Sequence, residues 1–262
     1  MKIGFIGIGK MSQAIISGFL LEQKSNLFIS GRDFEKTKKQ AKEFNLTALS
    51  SNSELVETCD LIILAVKPQI LPEILKEVSA ALNKEKTLLS IAAGFSLEEL
   101  NHLTNPKQAI IRVMPNVNAA IGQSTSAIVK NTFVTDIVYK KAKELFLQVG
   151  TVHEILEKDF SAFSALAGSS PAIIYLFIDA LSRAGVLHGI SKNLALKIIA
   201  ETVAASAQNV LLSSEHPQTL VDSVTSPGGT TIEGVRALEN HAFNATLIEA
   251  ITAIIEKDKK LS

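Results

Sequence analysis

Cysteine, tryptophan and net charge are what this sequence has least of. Its 262 residues include one cysteine, Cys59, and no tryptophan, and 26 Lys and Arg are balanced by 26 Asp and Glu. One cysteine excludes an internal disulfide framework and is typical of a reducing compartment. The balanced charge disfavours nucleic-acid or membrane partners, since either would favour a basic excess. We therefore expect a cytoplasmic protein with no nucleic-acid or membrane partner.

Metal-binding and nucleophile patterns are also missing. The five histidines are scattered, and no cysteine and histidine cluster has metal-ligand spacing, so we expect no metal site. No serine lies in a nucleophile elbow, and no paired carboxylates stand out in the second half. The longest uncharged run, 160–178, contains Gly168-Ser169-Ser170-Pro171. This interruption predicts a break and argues against a single membrane-spanning helix.

Short apolar runs alternate with amphipathic stretches through the first half of the chain. The runs predict strands at 3–8, 27–30, 61–66, 88–93, 109–113, 124–129 and 151–155. The stretches between them predict helices at 11–21, 34–44, 71–82, 97–103 and 136–149. Strands that are apolar throughout and separated by helices indicate a parallel sheet covered on both faces. Residues 1–157 are therefore predicted to form an α/β Rossmann-type domain.

The strand signals end near residue 157, and an all-α domain is predicted over residues 158–262. Its helices are predicted at 160–167, 171–188, 192–212, 231–239 and 242–261, with a short helical piece after Pro217. Residues 172–178 are apolar on every side for two turns, and such a helix must be surrounded. About 105 residues can hardly surround it alone. We therefore predict an obligate dimer whose partner subunit covers this helix.

A glycine-rich turn follows the first predicted strand and opens the first predicted helix. The residues assigned to cofactor binding are Ile6, Gly7, Ile8, Gly9, Lys10 and Met11. The glycines suit a tight turn and close approach to a pyrophosphate, while the helix start supplies amide hydrogens and partial positive charge. Ser12 replaces the third glycine of the usual fingerprint and is still small. Dinucleotide binding is favoured over a purely structural turn.

The end of the second predicted strand bears on which dinucleotide binds. An NAD site usually has an acidic residue there, which binds the ribose 2′-hydroxyl. This strand ends in Ser30-Gly31-Arg32, whose hydroxyl and guanidinium favour a 2′-phosphate. Asp33 is explained as a helix cap. The sequence favours NADP(H), with NAD(H) possible; the alternative for Arg32 is a solvated surface charge.

Further predicted strands end at the same edge of the sheet, where ligands of open parallel sheets bind. They contribute Ala65, Val66, Lys67, Pro68, Ala92 and Asn116 as cofactor-binding candidates. Lys67 faces either the cofactor or the solvent, and the sequence does not separate these two interpretations.

The most unusual stretch lies late in the chain, between two helix-forming segments. It reads Ser223-Val224-Thr225-Ser226-Pro227-Gly228-Gly229-Thr230-Thr231. The proline ends the preceding segment, the glycines expose backbone amides, and the threonines begin a new helix. This composition suits a carboxylate-sized anion. The alternative is a tight turn with a threonine cap. Residues 165–172 repeat these residue types before a long helix, where Ser170 as cap and Pro171 at the first position give a structural explanation.

Together these stretches resemble the pyrroline-5-carboxylate reductase family over the whole chain. The resemblance rests on Gly7-x-Gly9-x-Met11, Val66-Lys67-Pro68-Gln69, Arg112-Val113-Met114-Pro115-Asn116, Ala165-Leu166-Ala167-Gly168-Ser169, Asp179-Ala180-Leu181 with Ala184-Gly185-Val186, and Val224-Thr225-Ser226-Pro227-Gly228-Gly229-Thr230-Thr231-Ile232. The last of these is the most specific.

The resemblance implies reduction of 1-pyrroline-5-carboxylate to L-proline by hydride transfer to a cyclic C=N bond, the last step of proline biosynthesis. It implies a helical dimerisation domain, and dimers that often assemble into a decamer. It assigns the substrate to Gly228, Gly229, Thr230, Thr231 and Ser169, with Thr231 near the ring nitrogen as the catalytic residue. A substrate bound as its protonated iminium needs no acid from the protein, which agrees with the missing histidine or paired acid.

Three positions depart from the family pattern. Asn118 replaces a proline of many members, Ser170 replaces a glycine, and Ser214 replaces a residue that is acidic in some. These changes bear on loop stiffness or substrate affinity, and they remove no group that the chemistry needs.

Two competing interpretations remain open. An NADP-dependent hydroxyacid dehydrogenase with the same two-domain plan needs a lysine on a C-terminal helix aimed at the substrate hydroxyl. Lys192 and Lys197 lie at the start of a predicted helix, well away from the loops at Gly168-Ser169 and Gly228-Gly229. A non-catalytic NADP(H)-binding protein needs the nucleotide motif but has no use for the 228–231 loop.

Overall fold

The computed structural model describes residues 1–19 and 26–260. They divide into two compact units: the first comprises Met1–Ser169 together with the chain from Ile255 onward, and the second comprises Ser170–Ile254. The domain boundary predicted at residue 157 stays a prediction. The C-terminal ends of the helices predicted at 11–21 and 242–261 lie outside the described residues.

Among the described residues of the first unit, eight strands form one sheet. They are β1 (Ile3–Ile6), β2 (Leu27–Ser30), β3 (Thr47–Ala48), β4 (Leu61–Leu64), β5 (Thr87–Ser90), β6 (Ala109–Met114), β7 (Ser124–Lys130) and β8 (Gly150–Glu154). Their order is β3-β2-β1-β4-β5-β6-β7-β8. The helices of this unit include α1 (Lys10–Phe19), α2 (Phe34–Phe44), α3 (Asn52–Thr58), α4 (Leu71–Val78), α5 (Leu97–His102) and α6 (Asp136–Leu147). The predicted α/β architecture is confirmed.

The sheet is parallel, as predicted, except at one pair of strands. β7 runs antiparallel to β6, with Met114 opposite Ala127. The connection between these strands holds only a short 3-10 turn, Val117–Ile121. A parallel return needs a crossover of about a dozen residues or more, so this short connection reverses the chain.

A short strand and a short helix, β3 and α3, were not predicted. β3 has two residues, Thr47–Ala48, and so few residues carry no periodic pattern. α3 begins after Ser51, whose hydroxyl accepts from the Glu54 amide at 3.1 Å. Both elements lie near the end of β2.

The sheet is fixed between two apolar clusters. Ile3 and Phe5 of β1 point into one cluster and Ile6 points into the other, as alternation along a strand requires. The first cluster also contains Phe19 and Phe146, whose rings meet edge to face at 5.6 Å. Each such side chain stabilises the fold by about 1.5–3 kcal/mol. The strand ends that carry the predicted cofactor residues are therefore held rigidly.

The break predicted at 168–171 does not occur. A continuous helical stretch, Glu157–Leu187, contains α7 (Phe160–Phe163), a π-helical segment (Ser164–Ser169) and α8 (Ser170–Leu187). A proline inside an α-helix removes one hydrogen bond and clashes with the carbonyl four residues back. The wider π turn accommodates Pro171 without breaking the helix. Glu157–Leu187 and Lys192–Leu212 are both long and apolar enough to cross a bilayer, judged by length and composition only.

The second unit is entirely helical and leaves most of its apolar surface uncovered within the chain. After α8 come α9 (Lys192–Leu212), α10 (Pro217–Val224), α11 (Thr230–Asn240) and α12 (Phe243–Lys259). Among residues 170–254, all of them described, only Pro171, Ser182 and Ala195 are buried. The exposed apolar side chains of α8 include Ile174, Tyr175, Leu176 and Phe177.

Candidate active site

Packing and backbone conformation require a glycine at position 7, the first glycine of the turn after β1. Gly7 has φ +94°, and a Cβ there would lie 2.7 Å from Val66 Cγ1 and 2.8 Å from the Ala65 carbonyl oxygen. Its amide donates to the Ser30 carbonyl at 3.0 Å. The structure therefore brings Gly7, Ser30, Ala65 and Val66 together at the carboxyl ends of β1, β2 and β4.

The second glycine of this turn is not explained by packing. A Cβ added to Gly9 would meet no heavy atom of the described residues within 4 Å. The Gly9 carbonyl accepts from the Gln13 amide at 3.0 Å, so Gly9 is the N-cap of α1. The amides that follow, beginning at the exposed Lys10 and the half-buried Met11, have no acceptor within the helix. The result is a cradle of helix-start amides that a phosphate can approach closely.

Ser30 belongs to a buried polar chain at the end of β2. It is fully buried, and its hydroxyl donates to Asn52 Oδ1 at 2.8 Å. Asn52 Nδ2 donates in turn to a Glu77 carboxylate oxygen at 3.0 Å. Asn52 was not among the predicted site residues, although Ser51-Asn52-Ser53 is the composition of a helix start. Its place beside Ser30 makes it a candidate at the position where such sheets recognise the ribose.

The charged residues after β2 behave differently from each other. Asp33 Oδ1 accepts from the Lys36 amide at 3.0 Å and caps α2, which confirms the cap explanation. Arg32 is exposed. Its exposure is compatible with both interpretations, a phosphate ligand and a surface charge.

The ends of β4 and β5 contribute mainly shape. Lys67 is exposed, and Pro68 begins a 3-10 turn that ends the extended segment. Ala92 is buried, and its amide donates to Ser90 Oγ at 3.3 Å. Ala92 can offer a ligand only a small side chain. The exposure of Lys67 is compatible with both interpretations, contact with the cofactor and contact with the solvent.

Asn116, at the end of β6, is held by three hydrogen bonds. Its Oδ1 accepts from the Asn118 amide at 3.1 Å, and its Nδ2 donates to the Ala167 carbonyl at 3.0 Å. Its backbone amide donates to Ser124 Oγ at 3.1 Å. The structure therefore links Asn116 to the π-helical segment that contains Ser169, which is itself half-buried.

The stretch before α11 is a tight turn. The Gly229 amide donates to the Ser226 carbonyl at 2.9 Å, and Gly228 has φ +68°. A proline at the second position, Pro227, and a glycine with positive φ at the third are the signature of a type II turn. The proline and the first glycine are therefore explained by the turn itself.

A helix begins directly after this turn without a side-chain cap. Gly229 is the N-cap of α11, and no side chain among the described residues accepts from the helix-start amides there. The threonine-cap explanation is therefore wrong, since Thr230 is already the first helical residue. Thr230 and Thr231 are both exposed. Uncapped amides, a partial positive charge and two exposed hydroxyls suit a carboxylate.

An ion pair between the buried Arg112 and the half-buried Glu157 fixes β6. Arg112 is 8% exposed, its guanidinium donates to Glu157 at 3.1 Å, and it lies over the Phe160 ring at 4.3 Å. Burial lowers the pKa of Arg112, and the Glu157 carboxylate opposes that shift. The pair ties β6, the strand that precedes Asn116, to the first turn of the helical stretch from Glu157.

Neither a metal centre nor a free lysine of the second unit is present in the part of the chain that the structure describes. There, no group of three or more His, Cys, Asp or Glu is arranged to hold a metal ion. Lys192 donates to Asp179 at 2.6 Å and to Ser182 Oγ at 2.5 Å. Lys197 lies 3.9 Å from Glu201. Both lysines are thus engaged with neighbouring helical residues.

Comparison with known proteins places these features in a family. Residues 157–261 match the model for pyrroline-5-carboxylate reductase dimerisation, and residues 2–94 match the model for NADP oxidoreductase, coenzyme F420-dependent. The pyrroline-5-carboxylate reductase of Aquifex aeolicus (strain VF5) is 38% identical over 262 residues, covering 100% of this chain and 97% of that protein. The chain belongs to the pyrroline-5-carboxylate reductase family.

Solved structures of the family have the same fold. The 1-pyrroline-5-carboxylate reductase of Streptococcus pyogenes has a TM-score of 0.93 and 42% identity, covering 99% of this chain and 98% of that one. The Plasmodium falciparum pyrroline carboxylate reductase, solved with NADP bound, has a TM-score of 0.91 and 34% identity, covering 100% and 98%. The predicted family and fold are confirmed, and the roles of individual residues stay predictions.

Proposed function

We propose that this chain is a reductase that converts 1-pyrroline-5-carboxylate to L-proline with NADP(H), the last step of proline biosynthesis. The observation that carries the proposal is the sequence identity of this chain to reductases of this family over nearly the full length of both proteins. That match includes both units, so it covers the nucleotide turn as well as the turn before α11.

The residues present fit a dinucleotide. The cradle at Gly9 has open space that a Cβ would fill. Residue 30 is a serine and not an acidic residue, so no carboxylate at this position repels a 2′-phosphate. When bound, the reduced cofactor would supply the hydride for the substrate's C=N bond. The proposed contacts are Ile6, Gly7, Ile8, Gly9, Lys10, Met11, Ser30, Arg32, Ala65, Val66, Lys67, Pro68 and Ala92. NADP(H) is the proposed main cofactor and NAD(H) a second one.

The substrate carboxylate is proposed to bind at the start of α11. The amides of Gly229, Thr230 and Thr231 would hold it, and positive φ at Gly228 turns the chain so that these amides begin the helix. Ser169 is proposed as a further substrate contact. Anions at a helix start are stabilised by about 0.3–1 kcal/mol at an exposed site, and by more when partly buried.

Thr231 is proposed to contact the ring nitrogen of the substrate. Its hydroxyl can orient a protonated iminium, or relay a proton if the neutral imine binds. The remaining work of the protein is to hold two reactants in place, an effect that can lower a barrier by roughly 7–11 kcal/mol. This division of labour explains why no histidine or acid pair is needed.

The working form is proposed to be a homodimer, with a decamer as a further assembly. The uncovered side chains of α8 and α9 form an apolar surface that one chain does not bury, and the matched dimerisation model covers residues 157–261. A partner subunit rather than a bilayer is proposed to cover Glu157–Leu187 and Lys192–Leu212. The compartment is proposed to be the cytoplasm, with no nucleic-acid partner.

One assay tests the proposed reaction against its competitors. The purified protein is mixed with NADPH and 1-pyrroline-5-carboxylate, and loss of absorbance at the nicotinamide band is followed. A parallel mixture contains a hydroxyacid and NADP. We expect NADPH oxidation with the imino acid and no NADP reduction with the hydroxyacid. The opposite pattern would support the dehydrogenase, and NADPH binding without turnover would support a non-catalytic protein.

A further inference from the structure

The carbonyl of Ala167 lies where an α-helix would offer it no partner. The residue four positions later is Pro171, which has no amide hydrogen. The turn that precedes it, Ser164–Ser169, is π-helical, a form that is rare and frequently found at functional sites. Asn116 Nδ2 donates to this carbonyl from a strand end 51 positions earlier in the chain, at 3.0 Å.

The orientation of the Asn116 amide is fixed by its surroundings. Asn116 is 4% exposed, and Oδ1 accepts from the Asn118 amide. A flipped side chain would set Nδ2 against that donor and Oδ1 against the Ala167 carbonyl, losing both hydrogen bonds. The backbone is held as well, since the Asn116 amide donates to Ser124 Oγ.

Asn116 connects two segments that matter for the proposed reaction. It begins the 3-10 turn Val117–Ile121, which packs against α1, the helix of the dinucleotide turn. Through Ala167 it reaches the segment Ser164–Ser169, which packs against β7 and carries Ser169.

We infer that Asn116 is a positioning residue: its side-chain amide bonds to the Ala167 carbonyl and thereby fixes the π-helical segment and Ser169 for the substrate. The inference rests on the proposed function for the role of Ser169. Asn116 then acts through the protein, whereas the sequence alone predicts a contact with the cofactor.

The test uses Asn116→Ser in two backgrounds. A serine hydroxyl can still accept from the Asn118 amide but is too short to reach Ala167. In a Pro171→Ala background, residue 171 supplies an amide hydrogen for the Ala167 carbonyl. Asn116→Asp is the second variant, because it keeps the side-chain volume and the oxygen that accepts from Asn118 but replaces the donating Nδ2 with a carboxylate oxygen. Asn105→Ser is the matched control, since Asn105 donates to the Ser79 and Leu82 carbonyls away from the site.

Three quantities are measured on the full-length protein: amide hydrogen exchange in cofactor-free protein, the NADPH Kd by fluorescence, and KM and kcat for 1-pyrroline-5-carboxylate. We expect Asn116→Ser to speed exchange over 164–172 roughly tenfold and to raise KM by a similar factor, the worth of one neutral hydrogen bond. The NADPH Kd should stay unchanged. In the Pro171→Ala background the same substitution should change exchange and KM by less than about threefold. Asn105→Ser should change neither.

Other results would overturn the inference. Equal effects of Asn116→Ser in both backgrounds would show that Asn116 does not act through the Ala167 carbonyl. A weaker NADPH Kd with unchanged KM would place Asn116 on the cofactor. Unchanged exchange over 164–172 would show that the hydrogen bond does not hold the segment. If the wild-type protein does not turn over 1-pyrroline-5-carboxylate, the proposed function fails, while the exchange comparison still decides whether Asn116 fixes the segment.

Discussion

The same substitution at two glycines, two residues apart, should have opposite consequences. Gly7→Ala places a methyl group against backbone, because a Cβ would lie 2.8 Å from the Ala65 carbonyl oxygen at φ +94°. Gly9→Ala places one where no described heavy atom lies within 4 Å. The first change should therefore weaken the fold, and the second should weaken NADPH binding.

The magnitudes follow from these contacts. A non-glycine residue at positive φ costs about 1–2 kcal/mol, and overpacking against a fixed atom costs about 1–3 kcal/mol more. Gly7→Ala should thus lower the free energy of unfolding by about 2–5 kcal/mol. Gly9→Ala loses only the small preference for glycine over alanine at an N-cap, about 0.5–1 kcal/mol. A methyl group in the phosphate cradle should raise the NADPH Kd at least about tenfold, or about 1.4 kcal/mol.

Two measurements on each variant check this. Urea unfolding of the cofactor-free protein, followed by circular dichroism at one protomer concentration, gives the stability. NADPH fluorescence gives the affinity, and the absence of tryptophan keeps the protein's own emission low. Wild-type NADPH affinity in Gly9→Ala would refute the cradle, and wild-type stability in Gly7→Ala would refute the packing argument.

Three further predictions concern the cofactor, the substrate and the core. Arg32→Asp should raise the Kd for NADPH more than that for NADH, because the carboxylate repels a 2′-phosphate; equal changes in the two titrations would leave Arg32 a surface charge. Thr231→Ala should lower kcat by about a hundredfold or less, and a folded variant with no measurable turnover would show a larger role. Burial raises the pKa of the Cys59 thiol to about 12, whereas the pKa in the unfolded chain is about 8.5. Between these two pH values only the unfolded chain loses the proton, so the free energy of unfolding should fall by up to about 1.4 kcal/mol per pH unit. Cys59→Ala should lack that part of the slope in urea titrations across this range, and an identical slope would contradict the assignment.

Features with a strong local signal were predictable from the sequence. Apolar runs located the main strands because a strand covered on both faces must be apolar throughout. The Gly7 turn and the start of α11 at Thr230 followed from the demands of backbone conformation on glycine and proline. These features depend on residues that are neighbours in sequence.

Features set by distant contacts were not predictable in the same way. The Ser30 hydroxyl bonds to Asn52, 22 positions away, and Asn116 bonds to Ala167, 51 positions away. Pro171 predicts a helix break on local grounds, and the break is avoided by a π-helical segment that the side chain of Asn116 supports. The reversal at β7 was accessible in principle, since the connection after Met114 is too short for a parallel crossover.

A crystal structure of the protein with NADP and L-proline tests most directly where the substrate carboxylate binds. We expect the proline carboxylate within about 2.7–3.2 Å of amide nitrogens at the start of α11, with the ring nitrogen beside Thr231. A carboxylate bound by any other residues, with the α11 amides facing solvent, would contradict this expectation.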